Sequence, residues 1–263
     1  MQFLGLSLYT GTYKKFFSTL LSVEKPTLIF TPNPEILLRA SRDSEFCDVL
    51  GRADVLVPDG NGLYLASYMR EWYSYLRAGL EVFFQKKRTA KRYGELIQGS
   101  NLTRDLVHYT EKHDRHILII DSYRITEPRN SFEIRKKYIQ EHMASLLHSK
   151  YPSLSVAVFF QWEMSADAIA HYAELHHIDY IFACTGMKSQ ESLLIDIFSY
   201  LPANMPIIGL GVGSSFDYLL WLQHRAPIIW QRLWLEWLYR LICSPSRWQR
   251  IIDAVWRFPR SVR

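Results

Sequence analysis

What this sequence lacks narrows its reading first. Its three cysteines, Cys47, Cys184 and Cys243, stand far apart in no metal-ligand or disulfide spacing, which fits a reducing compartment. No uninterrupted apolar run reaches about 18 residues, so no spanning helix is expected and any membrane contact should be peripheral. Residues 1–13 carry neither the charged region nor the small-residue cleavage site of a signal peptide. Internal repeats, low-complexity tracts and a clear linker are also missing. Lysine is absent from the end of the chain: from Trp221 to Arg263 there are eight arginines, no lysine, and only Glu236 and Asp253 as acids.

That tail is the most distinctive feature present. Six of the eight tryptophans lie at or after Trp221, and the segment's net charge of +6 against +5 for the whole chain leaves residues 1–220 near −1. A basic, Trp-rich end on a near-neutral body belongs to a protein that meets phosphates, a membrane surface, or both. Pro227–Cys243 reads as a helix in which Arg232, Glu236 and Arg240 recur every fourth residue, a narrow polar stripe on a broad apolar surface. Ser244-Pro245 fits the N-cap and first position of a second helix, which puts Arg247 and Arg250 on one face. Arg257, Arg260 and Arg263 read as anionic-lipid contacts. The apolar face suits lipid better than duplex DNA, so no nucleic-acid partner is expected.

Upstream, β-rich apolar runs alternate with helical patterns. The expected strands are Leu28–Thr31, Asp54–Val57, Ile117–Asp121, Leu154–Phe160, Tyr180–Cys184 and Pro206–Leu210. Helices are expected over Glu35–Leu50, from about Leu63, around Phe132–His148, and over Ala166–His177 and Gln190–Tyr200. This order predicts an α/β fold, a mostly parallel sheet flanked by helices in Rossmann-like lobes, with a C-terminal helical appendage. The division expected is a body over residues 1–217 and an appendage over 218–263. The basic run Gln85–Arg92 reads as a solvated loop.

Ligands of such sheets bind beyond the carboxyl ends of the strands. Three polar clusters fall there: Thr31-Pro32-Asn33-Pro34-Glu35, Pro58-Asp59-Gly60-Asn61-Gly62, and Gly186-Met187-Lys188-Ser189-Gln190-Glu191. Asp59 is the best base candidate, at a strand end between a proline and glycines that allow close backbone approach; otherwise the Asp-Gly pair simply makes a turn. Thr31 and Asn33 offer a hydroxyl and an amide to a polar ligand, although Asn33-Pro34 also fits a helix N-cap and first position. Gln190 either contacts a ligand or is a polar first-turn residue. Gly209-Leu210-Gly211-Val212-Gly213 does not complete a dinucleotide fingerprint, since Ser214 takes the last glycine's place.

These clusters, in this order, resemble the WecG/TagA/CpsF family of glycosyltransferases (glycosyltransferase family 26). The resemblance runs from about Thr27 to Arg250. It rests on T-x-N-P-E (Thr31–Glu35), P-D-G-x-G (Pro58–Gly62), Q-G-S-N-L (Gln98–Leu102), G-V-G-x-x-F-D (Gly211–Asp217), R-A-P (Arg225–Pro227) and E-W-L-Y-R-L (Glu236–Leu241). It implies an inverting transfer of an N-acetylhexosamine-type sugar, typically N-acetylmannosamine or its uronic acid, from a UDP-sugar. The implied acceptor is a polyprenyl-diphosphate-linked sugar at the inner face of the cell membrane, in surface polysaccharide synthesis. The resemblance implies Asp59, Thr31 and Gln190 as catalytic residues, and Asn33, Arg240, Arg247 and Arg250 as substrate-binding residues, the arginines on the diphosphate. No Asp-x-Asp motif occurs, consistent with the family's metal independence, and no cofactor is implied. A homo-oligomer is compatible with the family.

Two loops depart from the family pattern. Asp121-Ser122 stands where Gly-Gly is usual, and Lys188-Ser189 replaces Pro-Lys before Gln190-Glu191. They motivate the alternative, a non-catalytic membrane-associated subunit of a polysaccharide-synthesis complex. The tail is expected to be mobile in water and to close over the site at the membrane, so that deletion beyond about residue 218 abolishes activity and leaves the body folded.

Overall fold

In the computed structural model, which describes residues 1–70, 74–122, 142–220, 226–227, 229–230, 236–243 and 248–261, the apolar runs form strands covered on both faces. The chain opens with a small hairpin, β1 (Gln2–Phe3) and β2 (Leu6–Ser7), turned through Leu4 and Gly5 at φ 55° and 80°. Two left-handed residues in a two-residue loop match the twist of the paired strands. Then come α1 (Tyr13–Leu20), β3 (Thr27–Phe30), α2 (Pro34–Ala40), α3 (Ser44–Gly51) and β4 (Val55–Leu56). Four helices follow: α4 (Gly62–Arg70), α5 (Tyr75–Phe84), α6 (Lys86–Tyr93) and α7 (Gly99–Lys112). The second half runs β5 (His116–Asp121), α8 (Met143–Lys150), β6 (Ser155–Phe160), α9 (Ala166–Leu175), β7 (Tyr180–Cys184), α10 (Ser189–Ser199), β8 (Ile208–Gly211) and α11 (Ser215–Leu219). The described end holds α12 (Glu236–Cys243), α13 (Trp248–Ile252), a π-helical turn (Asp253–Arg257) and α14 (Phe258–Ser261).

Six strands form one parallel sheet in the order β4-β3-β8-β7-β5-β6. Side chains alternate between its faces, and both faces are dry. Leu28, Phe30, Leu118, Ile120, Ile181 and Ala183 pack under α2, α3, α9 and α10. Ile29, Ile117, Ile119, Phe182 and Leu210 pack under α1, α7, α8 and α11. A third, separate cluster joins α4, α5 and α6 around Tyr64, Tyr68, Ala78, Val82 and Tyr93. The connection leaving β3 runs outward to β4, while that leaving β5 runs outward to β6 on the other side. The chain therefore diverges over the centre of the sheet, and it is beyond the carboxyl ends at such a point that ligands of these sheets bind.

The fold departs from the sequence-based expectation in local ways. The helix expected over Glu35–Leu50 is two helices, because the Asp43 carboxylate accepts from the Phe46 amide at 3.0 Å and caps α3. The basic run expected as a loop is helix α6, stopped by Gly94 at φ 87°. Residues 123–141, where most of the Phe132–His148 helix was expected, lie outside the described residues.

The chain end reaches into the core. Phe258 is fully buried, its ring 5.4 Å from that of Phe3, and Pro259 is buried beside it. Helix α14 packs on α4 and α2. Removing a buried phenylalanine ring from such a site costs about 3–5 kcal/mol. Phe258→Ala should lose that much unfolding free energy in urea denaturation. A loss below about 1 kcal/mol, typical of a surface change, would mean the terminus is not part of the core.

Candidate active site

Backbone hydrogen bonds tie the first strand-end loops together. The Val57 amide donates to the Phe30 carbonyl at 2.8 Å, the Asp59 amide to Pro32 at 3.3 Å, and the Ile97 amide to Pro58 at 2.9 Å. T-x-N-P-E, P-D-G-x-G and Q-G-S-N-L thus form one junction. It has no room for a side chain at Gly62 and little at Gly99. A Cβ at Gly62 would sit 2.7 Å from Pro34 Cγ and 2.5 Å from the Ala254 carbonyl oxygen, and one at Gly99 would sit 3.2 Å from Thr31 Oγ1. Gly60 adopts φ 93° beside Pro34, a conformation glycine takes without strain.

Thr31 is the hub of this junction. Its hydroxyl donates to the Gly211 carbonyl at 3.3 Å and faces Gly99, whose amide donates to Asp59 Oδ2 at 3.4 Å. On the far side, Gly211 lies against the Gln190 amide. The structure therefore brings Asp59, Thr31 and Gln190 into one row of contacts across the carboxyl ends of β4, β3 and β8. Asn33 stands at the same end; its Oδ1 accepts from the Ile36 amide at 2.9 Å, capping α2 with Pro34 in the first turn.

Gln190 is held by a chain of hydrogen bonds with a fixed direction. Its Oε1 accepts from the Gly213 amide at 3.0 Å, and its Nε2 donates to Glu191 Oε1 at 2.7 Å. Glu191 Oε2 accepts from the Lys188 amide at 2.7 Å, completing a cap on α10. An ionised carboxylate only accepts, so Glu191 dictates which way the Gln190 amide faces. Glu191 is buried, and that burial raises its carboxyl pKa against the pull of these bonds. The sequence reading missed this role, although the adjacent Gln-Glu pair was its visible sign.

Lys188 turns away from this row. Its ammonium reaches Asp43 at 2.9 Å and Glu45 at 2.8 Å, at the start of α3. Its backbone has φ 70°, which a proline ring locked near −65° cannot adopt, so the altered loop follows a different path from one with Pro there. At the other altered loop, buried Asp121 ends β5 and accepts from the Ser122 amide at 2.7 Å. Burial, with the Asp121 and Asp217 carboxylates, pushes the Cys184 thiol above its ordinary range. Thr185, just past β7, has a buried hydroxyl without a hydrogen-bond partner among the described residues. No three His, Cys, Asp or Glu side chains converge as a metal-ligand set among those residues.

Of the predicted arginines, Arg250 meets the junction. Its Nε donates to both Glu35 oxygens at 2.9 Å, joining α13 to the first turn of α2. Glu35 was quoted only as part of a motif, and the sequence offers no sign of a pairing across 215 positions. Arg240 lies on α12, with its side chain outside the described residues, as is the whole of Arg247. Arg257 pairs with Asp253 at 2.7 Å, and Arg260 stacks over Trp256. A broad open groove of about 750 Å³ lies at the β4 edge between residues such as Leu8, Lys15 and Asp54. It includes none of Thr31, Asp59 or Gln190, so the convergence of strand ends, not the size of a hollow, marks the site.

The sequence profile described as the Glycosyl transferase WecG/TagA/CpsF family matches residues 1–78 and 77–263. The chain is also similar to proteins named N-acetylglucosaminyldiphosphoundecaprenol N-acetyl-beta-D-mannosaminyltransferase. That of Bacillus subtilis (strain 168) is 26% identical over 227 residues, 86% of this chain and 75% of the relative. That of Bacillus spizizenii (strain ATCC 23059 / NRRL B-14472 / W23) is 24% identical over 241 residues, covering 90% and 79%. That of Staphylococcus aureus (strain MRSA252) is 22% identical over 224 residues, covering 85% and 73%.

The directed chain through Gln190 yields a test. Glu191→Gln replaces one acceptor oxygen with an amide donor that faces either the Gln190 amide or the Lys188 N–H, so one polar group of the chain must lose its partner. That loss costs about 1–3 kcal/mol, to be measured by chemical denaturation. An unchanged midpoint would show that the Gln190 amide is not held this way.

Proposed function

The chain belongs to the WecG/TagA/CpsF family of glycosyltransferases, and from that membership we propose the reaction and the roles of its residues. It transfers an N-acetylmannosamine-type sugar from a UDP-sugar to a polyprenyl-diphosphate-linked N-acetylglucosamine, with inversion. The relatives' names support the sugar and the acceptor. The observation that carries the residue roles is the row of contacts Asp59–Gly99–Thr31–Gly211–Gln190 along the carboxyl ends.

In a single displacement, an acceptor hydroxyl oxygen bonds to the anomeric carbon as that carbon's bond to the UDP β-phosphate oxygen breaks. The hydroxyl proton passes to the Asp59 carboxylate, and the bonding electron pair leaves with UDP. Thr31 and Asn33 orient the sugars. Gln190, with one amide proton and one lone pair beyond its internal bonds, faces the same row. Arg240, Arg247 and Arg250, carried by residues 218–263, stabilise the departing diphosphate, for which the planar guanidinium fork is suited. No metal ion is assigned a part in this reaction.

The non-catalytic alternative is not favoured, because the similar proteins are named as transferases and the chain retains Thr31, Asp59 and Gln190. Among the described residues no helix is long and apolar enough to cross a membrane. A lipid-linked acceptor then calls for peripheral binding, which we assign to the inner face of the cell membrane.

The test is a donor screen: the purified protein, a short-chain polyprenyl-diphosphate N-acetylglucosamine acceptor, and a panel of UDP-sugars. One donor should transfer. Asp59→Asn should slow that transfer by about 10²–10⁴-fold, the usual contribution of a positioned base. Excess EDTA should leave the wild-type rate unchanged. Full activity in Asp59→Asn would remove this aspartate from the base role, and loss in EDTA would bring in a metal.

A further inference from the structure

Helix α5 is apolar on two opposite sides. It buries Ala78 and Val82 in the cluster shared with α4 and α6. Leu76, Leu80, Phe83 and Phe84 point the other way and are 75%, 50%, 37% and 72% exposed. At about 100° per residue these four fall within an arc of roughly 100°, opposite the buried pair. They form a ridge, not scattered surface leucines. Phe83 and Phe84 meet edge to face, with ring centroids 5.0 Å apart.

The next helix supplies charge of one sign. Helix α6 carries Lys86, Lys87, Arg88, Lys91 and Arg92 and no acid. Its buried residues are Thr89 and Tyr93, so Lys87, Arg88, Lys91 and Arg92 share the exposed face. The Lys86 ammonium lies 5.9 Å from the centre of the Phe83 ring, which places the start of the cationic face beside the end of the apolar ridge. The two helices fold on α4 with a small core of their own, and α4 also carries α14 and the π-helical turn.

We propose that the α5–α6 hairpin is a docking surface for an anionic lipid bilayer, with the Leu76–Phe84 ridge in the acyl boundary and the α6 cations among the headgroups. This rests on the proposed peripheral membrane binding and names a surface for it separate from the tail. An amphipathic surface with an apolar ridge beside cations is what an interfacial helix requires. A second copy of the chain is the poorer occupant: it would bring the same cations beside its own ridge and no acid on α6 to meet them. An acidic protein would satisfy the charge and leaves the four-residue apolar ridge to be matched separately.

The test is sedimentation of the full chain with vesicles of mixed phosphatidylglycerol and phosphatidylcholine, and with pure phosphatidylcholine. The double variant Leu80→Glu, Phe84→Glu changes exposed residues only and should lower partitioning onto mixed vesicles by about 100-fold. The triple variant Lys87→Gln, Arg88→Gln, Lys91→Gln should lower it by a similar factor, and should match wild type on pure phosphatidylcholine. Both should keep the wild-type rate on a water-soluble short-chain acceptor. Unchanged vesicle binding in either variant overturns the proposal. So does a wild-type dimer that Leu80→Glu, Phe84→Glu converts to monomer with vesicle binding intact, which would make the ridge a contact between copies. Vesicle binding that follows this pattern, with no transfer from any donor, would overturn the reaction proposed above and leave the docking surface standing.

Discussion

The close approach of Pro34 to Gly60 and Gly62 is the constraint on which the rest of the site depends. Pro34 is fixed in the first turn of α2, so the P-D-G-x-G loop must come to it with bare backbone. That approach flanks Asp59, whose Oδ2 accepts from the Gly99 amide at 3.4 Å, and leaves the Gly62 backbone open to the Ala254 carbonyl. One packing event thus borders a carboxylate and seats a segment nearly two hundred residues away. A side chain at Gly62 would disturb both at once, because its obstacles include backbone and a rigid ring, not a flexible side-chain tip.

The charges near this junction act by position more than by energy. The Arg250 side chain is 57% exposed, and an exposed ion pair contributes about 0–1 kcal/mol. Its pairing with Glu35 does hold a guanidinium beside T-x-N-P-E. Because Nε makes that contact, the fork of the guanidinium is the part left to meet a phosphate. Lys188 shows the opposite arrangement. It stands in a strand-end loop where a cation would suit a phosphate, yet Asp43 and Glu45 draw it to α3. If the diphosphate needs cations here, the tail is the better source in this chain.

The sheet was legible because its strands are buried on both faces: Ile29 on one side and Phe30 on the other give a continuous apolar run with little else to become. The loops were legible as loops because glycine and proline at strand ends are the usual turn formers. The break at Asp43 was less so, since an aspartate inside an apolar-periodic stretch serves equally as a surface residue or a cap until a free amide is seen facing it. The α6 helix was hidden by its own charge, because five cations in eight residues resemble a solvated loop and only Thr89 and Tyr93 anchor them. Partners far apart in the chain left no trace either. Glu35 with Arg250 and Phe3 with Phe258 are separated by almost the whole sequence, and no local pattern pairs them.

Helix α4 links these observations. Its start is the glycine that meets Pro34 and Ala254, its body holds the small core under α5 and α6, and α14 packs along it. A surface that rests on a bilayer through α5 and α6 is therefore one helix away from the strand-end row. On the proposed mechanism, binding energy gained from lipid at that surface need not come from the reacting sugars, which leaves contacts at Asp59 and the arginines available for the transition state. A lipid-linked acceptor confined to the membrane plane would meet the strand-end row at a fixed height. Orientation in that plane would then supply part of the positioning that a soluble enzyme must obtain from its substrate pocket alone.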